Sequence, residues 1–100
     1  MKHRQGDVML IKVDALPDGA KREQVKDRIV LAYGEVTGHA HAIKDKTTEL
    51  YKFDVDMFLK VLNTTNLVHE EHGAITIEPG IYKVVRQREY TPREIRNVAD

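Results

Sequence analysis

Four of the chain's five histidines fall into two short pairs. His39 and His41 stand one residue apart in EVTGHAHAI (35–43), and His69 and His72 bracket HEEH (69–72). Imidazole nitrogen ligates zinc, iron, manganese and nickel, and it also carries protons. Residues two apart on a strand share a face, so His39 and His41 would present their rings from Cα atoms roughly 6–7 Å apart. Two nitrogens so placed can reach one ion at about 2.1 Å each. His69 and His72 are three apart and would leave a strand on opposite faces. Joint ligation therefore requires a bend or a single helical turn, for which TTN (64–66) and Gly73 supply suitable residues. Glu70 and Glu71 add carboxylates that can ligate, orient an imidazole or act as catalytic proton carriers. The spacing is not that of the helical HExxH zinc-protease motif, whose histidines are four apart.

The expectation is a divalent-metal site of His39, His41 and one or both of His69 and His72, assisted by Glu70 or Glu71. With nitrogen and oxygen donors only, zinc, iron, manganese or nickel would suit it. Fewer than six protein ligands would leave room for water or a substrate oxygen, as in metal-assisted hydrolysis. Two plainer readings compete. The histidines are simply solvated at turns, or they form a metal-free acid–base site.

The elements that must position these residues have period two rather than 3.6. DVMLIKVDA (7–15) alternates, with Met9, Ile11 and Val13 on one face and Lys12 and Asp14 on the other. LPDGA (16–20) is a turn: proline sets φ, and Asp-Gly tolerates the positive φ that follows. KREQVKDR (21–28) has room for one helical turn. RIVLAYGEV (28–36) is β-rich, with Gly34 as a place to bulge. TGHAHAI (37–43) continues extended, with Thr37, His39, His41 and Ile43 on one face and small residues (Gly38, Ala40, Ala42) beside Val36 on the other. KDKTT (44–48) turns the chain. ELYKFDV (49–55) and DMFLKVLNTT (56–65) read as paired strands, with Tyr33, Tyr51, Phe53 and Phe58 expected in the core. AITI (74–77), a turn at EPG (78–80) and the long alternation IYKVVRQREY (81–90) follow. TPRE (91–94) resembles a capping box for a short final helix. Short strands with frequent turns predict one all-β domain over residues 1–100, a small antiparallel barrel or sandwich with at most one or two short helices.

GEVTGHAH followed by ITIEPGIYKV resembles part of the cupin pattern, a glycine and His-x-His and later a Pro-Gly turn. The resemblance spans residues 34–85 and implies a small β-barrel holding a divalent metal. Only His39 and His41 match ligand positions of that family. The position after Pro79-Gly80, where the family supplies another histidine, reads Ile81-Tyr82. A third ligand from His69 or His72 comes from this chain's own residues.

Other chemistry is restricted by composition. The chain has no cysteine and no serine, which removes disulfides, thiolate sites and serine or cysteine nucleophiles. Its six glycines lack phosphate-loop spacing. Lysine plus arginine and aspartate plus glutamate both total 16, so no net charge favours a polyanion or an acidic membrane. A local alternative exists in Tyr82, Val84, Arg86, Arg88 and Tyr90, which share a face of 81–90. Arg86, Arg88 and Tyr90 could bind a nucleotide or nucleic acid by forked hydrogen bonds and stacking. A third reading is a protein-interaction module, a homodimer sharing a sheet edge or the Phe58 and Leu62 face. The N-terminal MKHRQGDVMLIKV lacks a cleavage-site pattern, and no apolar run has membrane-spanning length, so a soluble, cytoplasmic protein with a small-molecule ligand is expected.

Overall fold

The computed structural model describes residues 2–6, 8–33, 39–70 and 72–86. Within them the chain is all-β and contains no helix. The strands are β1 (Lys2–Gln5), β2 (Val8–Val13), β3 (Lys21–Glu23), β4 (Ile29–Tyr33), β5 (Ala40–Ile43), β6 (Glu49–Phe53), β7 (Asp56–Val61), β8 (Thr65–Leu67), β9 (Ile75–Ile77) and β10 (Gly80–Arg86). Six of them form an antiparallel sheet in the order β1-β2-β10-β7-β6-β3, and β4-β5 and β8-β9 form two separate two-stranded ladders. The large sheet does not close on itself. Of the two expected architectures, the sandwich-like one is found rather than the barrel.

Alternation decides what the sheet buries. Residues directly opposite in an antiparallel pair share a face, and β2 and β10 place Leu10 opposite Val84 while β7 places Leu59 opposite Tyr82. That face meets Ile29, Leu31 and Ile43 from β4-β5 and Leu67 and Ile77 from β8-β9 in one apolar cluster. The two small ladders thus act as the second layer. Tyr82, fully buried, satisfies its hydroxyl by donating to the Glu78 carbonyl at 2.7 Å. Leu31 lies where the β4–β5 register shifts between Val30 and Ala32, and its side chain enters the core.

The turns follow their residues. Gly19 takes φ 90°, and the Ala20 amide donates to the Pro17 carbonyl at 3.1 Å, closing the turn. In KDKTT, Asp45 accepts from the Thr47 amide at 3.0 Å and from the Thr47 and Thr48 hydroxyls at 2.7 and 3.1 Å. These bonds hold its carboxyl below the usual range, that from the Thr47 amide foremost.

Three expectations are corrected. Lys21–Glu23 is a strand and not part of a helical turn, because the open edge of β6 supplies its backbone partners; all three side chains are exposed, so no apolar alternation announces it. Tyr33 is 71% and Phe53 39% exposed, each at the last position of its strand. Tyr51 is half-buried, and its hydroxyl donates to Glu49 Oε1 at 2.9 Å. Phe58 is buried as expected, whereas Leu62 is exposed, so the two do not form one open apolar face. The Gly34 bulge and the final helix lie outside the described residues.

Candidate metal centre

β5 is held on both sides. β4 pairs along one edge, and on the other Ala42 and Val68 exchange two backbone hydrogen bonds of 3.0 and 2.9 Å. Ala40 and Ala42 are small enough to be completely enclosed there. The Ala42–Val68 pairing is what draws the chain after β8 across β5. A second tie follows at once, where the Ala40 amide donates to Glu70 Oε1 at 2.9 Å. That bond is the main reason the Glu70 carboxyl lies below its ordinary range; the Glu70 backbone amide acts in the same direction, desolvation opposes it, and the neighbouring His39 and His69 imidazoles lower it least. The bend that HEEH requires is therefore present, and it is fixed by backbone pairing.

The two histidine pairs converge. The ring centroids of His41 and His69 are 4.3 Å apart, those of His69 and His72 4.7 Å, and those of His41 and His72 5.7 Å. His39 approaches His69 edge-on at 5.7 Å. One ligand atom each from His41, His69 and His72 lie within 4.8 Å of one another, and so do atoms of His39, His69 and Glu70. Donors at about 2.1 Å from a shared tetrahedral ion stand about 3.4 Å apart, so small ring rotations bring either set to ligating distance. Exposure is graded: His41 is buried at 4%, His39 and His69 are half-buried, and His72 is exposed. The cluster thus opens to solvent on the His72 side.

Two residues that the histidine pattern does not announce complete the site. Gln5, 3% exposed, donates through Nε2 to the Leu67 and Gly73 carbonyls, both at 2.9 Å. Two carbonyl acceptors identify that atom as the amide nitrogen, so Oε1, 2.9 Å from His41 Nδ1, is an acceptor. His41 must then carry its proton on Nδ1 and direct the Nε2 lone pair away from Gln5. This is the orientation that a second partner imposes on metal-ligating histidines. Gly6, in the β1–β2 turn, has φ 57°. Its carbonyl accepts from Arg4 Nε at 3.2 Å. A Cβ on Gly6 would lie 2.7 Å from His72 Nε2 and 3.2 Å from His41 Cε1, so only glycine lets this turn back the cluster closely. The available signal was a glutamine at a core-facing position of β1, opposite the buried Val8.

Other candidates are placed as follows. Arg86 ends β10, half-buried and in register with Val8, in the same cross-strand row as Gln5. Glu71, Arg88 and Tyr90 lie outside the described residues. His3, also on β1, packs its ring edge-on against Tyr82 at 5.8 Å. A recess of about 190 Å³ borders the cluster, lined by Arg28, Ala40, Lys44, Val68, His69 and Glu70. No helix among the described residues is long and apolar enough to cross a membrane.

Fold and site together define an all-β, sandwich-like domain with a histidine cluster at the junction of β5, the β1–β2 turn and the segment after β8. The chain belongs to the family described as a domain of unknown function (DUF8820), which it matches over residues 4–87, a span that includes the whole cluster. No curated protein and no solved structure matches the chain.

Proposed function

We propose that this domain binds a divalent transition metal through His41, His69 and His72, with His39 and Glu70 at the border of the same centre. The observation that carries the reading is the convergence of three imidazoles whose ligand atoms lie within 4.8 Å, one of them in a tautomer fixed by Gln5. Four solvated histidines would have no reason to converge from two separate chain segments, nor to be backed by a glutamine with three bonds from a third. The donor set suits zinc, iron, manganese or nickel. The resemblance to cupins rests on His39 and His41 and so supports metal binding without naming a reaction.

A three-nitrogen set leaves coordination positions open, which is the form of catalytic and ligand-binding sites more than of structural ones. A bound ion there would supply Lewis acidity toward a substrate oxygen, and metal-assisted hydrolysis is the reaction class that fits. Glu70 serves better as a ligand or an orienting group than as a proton carrier, because a carboxylate held low by an amide hydrogen bond is a weak base.

Elemental analysis of protein purified without a histidine tag tests the reading. Near-stoichiometric metal is expected, reduced by His41→Ala and by His72→Ala separately. Metal-free protein that melts at the same temperature with and without chelator, and does not respond to added zinc, would refute it.

A further inference from the structure

We propose that the recess beside His69 is a receptor for a small oxyanion, a carboxylate or a phosphate, gripped by Arg28 and Lys44. This deepens the metal reading by naming the class of ligand, and takes from it only the location of the centre. Ile29 and Ile43 are directly paired across β4 and β5, so Arg28 and Lys44 occupy the next positions outward on the two chains. Like charges side by side across a ladder repel. Among the described residues neither cation has an ion pair; the pairs present are Arg22–Glu49 and Lys83–Asp56. The one acid in the lining, Glu70, is engaged through Oε1 with the Ala40 amide. The recess therefore sets two cations against one carboxylate, a net excess of one positive charge that an anion would satisfy, with the Arg28 guanidinium offering a fork suited to two oxygens.

Size restricts the guest. At about 190 Å³, the recess is smaller than the roughly 300–1,000 Å³ pockets that hold drug-sized ligands. It admits a small anion or the charged end of a longer molecule and leaves no room for a whole nucleotide. Position gives the grip a purpose. His69 lines the recess and also belongs to both ligand groups. An oxyanion anchored on Arg28 and Lys44 would therefore lie directly against the centre, with its remaining atoms facing His69.

Titrating inorganic phosphate and, separately, acetate into ¹⁵N-labelled protein tests this, in chelator and again with one equivalent of zinc. Saturable shifts of the Ala40, Lys44 and Val68 amides are expected, with affinity falling about tenfold or more in the Arg28→Gln/Lys44→Gln variant as its forked and point-charge contacts are lost. Zinc stoichiometry should be unchanged in that variant. Tighter binding of phosphate would assign a phosphorylated ligand, and tighter binding of acetate a carboxylic acid. Absence of saturable shifts at the recess, or wild-type anion affinity in the double variant, would overturn the inference even if zinc binds. Anion binding that depends on Arg28 and Lys44 in protein that takes up no zinc would uphold it while sinking the metal reading.

Discussion

Replacing Gln5 by leucine tests the reasoning about the site most directly, because the change nearly conserves volume and removes only the amide. The wild-type side chain makes three bonds of 2.9 Å, to the Leu67 carbonyl, the Gly73 carbonyl and His41 Nδ1. A net hydrogen bond is worth about 1 kcal/mol, and a buried group left without its partner costs about 1–3 kcal/mol. Leucine recovers part of this by burying more apolar surface, which leaves a destabilisation of roughly 2–4 kcal/mol. For a domain of this size that corresponds to roughly 10–25 °C in Tm. Chemical denaturation in chelator measures this without any contribution from metal. The second readout is metal affinity, which should fall about 10–100-fold, since His41 would lose the partner that sets its tautomer. Gln5→Glu separates the two roles. A carboxylate still accepts from His41 Nδ1, but it faces two carbonyls without a proton to offer, so stability should fall further while metal affinity suffers less. Gln5→Leu protein with wild-type stability and wild-type metal affinity would refute the assignment of Gln5 as the clasp of the site.

Other outcomes follow from single features. Gly6→Ala should cost about 1–2 kcal/mol through its positive φ alone, and should also displace His72, lowering zinc affinity as read by competition with a chromophoric chelator. Glu70→Gln should flatten the acid limb of stability against pH: a carboxyl whose folded value is depressed stabilises above its unfolded value, and that contribution is lost as pH falls through the folded value. Urea melts between about pH 3 and about pH 6 would reveal it, and an unchanged limb would contradict the Ala40–Glu70 bond. Tyr82→Phe removes one buried hydrogen bond to Glu78 and should cost about 1 kcal/mol without changing metal affinity. Zinc at about 100 times its Kd should raise stability by about 2.7 kcal/mol in wild-type protein, measured as a shift in Tm, and should do nothing in His41→Ala.

What the sequence discloses divides along physical lines. Runs of β-forming residues between turn signals reveal β2, β6, β7 and β10 as strands, and turn chemistry reveals the bends at 17–20 and 45–48. Alternation does not name the buried side: β2 buries Val8 and Leu10 rather than Met9, Ile11 and Val13, and no residue of β6 is buried. β7 and β10 each bury adjacent residues, Phe58 with Leu59 and Val84 with Val85, because both of their faces are covered there. β3 escapes that reading because its residues bury nothing and owe their conformation to a neighbouring edge. Tyr33 and Phe53 mislead because aromatic character does not report where a strand ends. For the site, spacing places His39 and His41 on a common face and shows that HEEH needs a bend. The bend itself depends on the Ala42–Val68 pairing, and pairings between distant segments leave no local trace. Gln5 is hidden for the same reason, 36 residues from the histidine it holds.

Gln5 also bears on how the molecule comes together. Its two carbonyl partners lie 62 and 68 residues further along the chain. Closing so long a loop costs entropy that packing of the intervening segments must offset first, so such contacts consolidate late in folding. A chain still emerging or partly opened has its histidines only as two independent pairs, without the amide that orients His41. The oriented donor set is therefore a property of the finished fold, and loss of the N-terminal strand from its edge position would free His41 from its clasp while leaving every histidine in the chain.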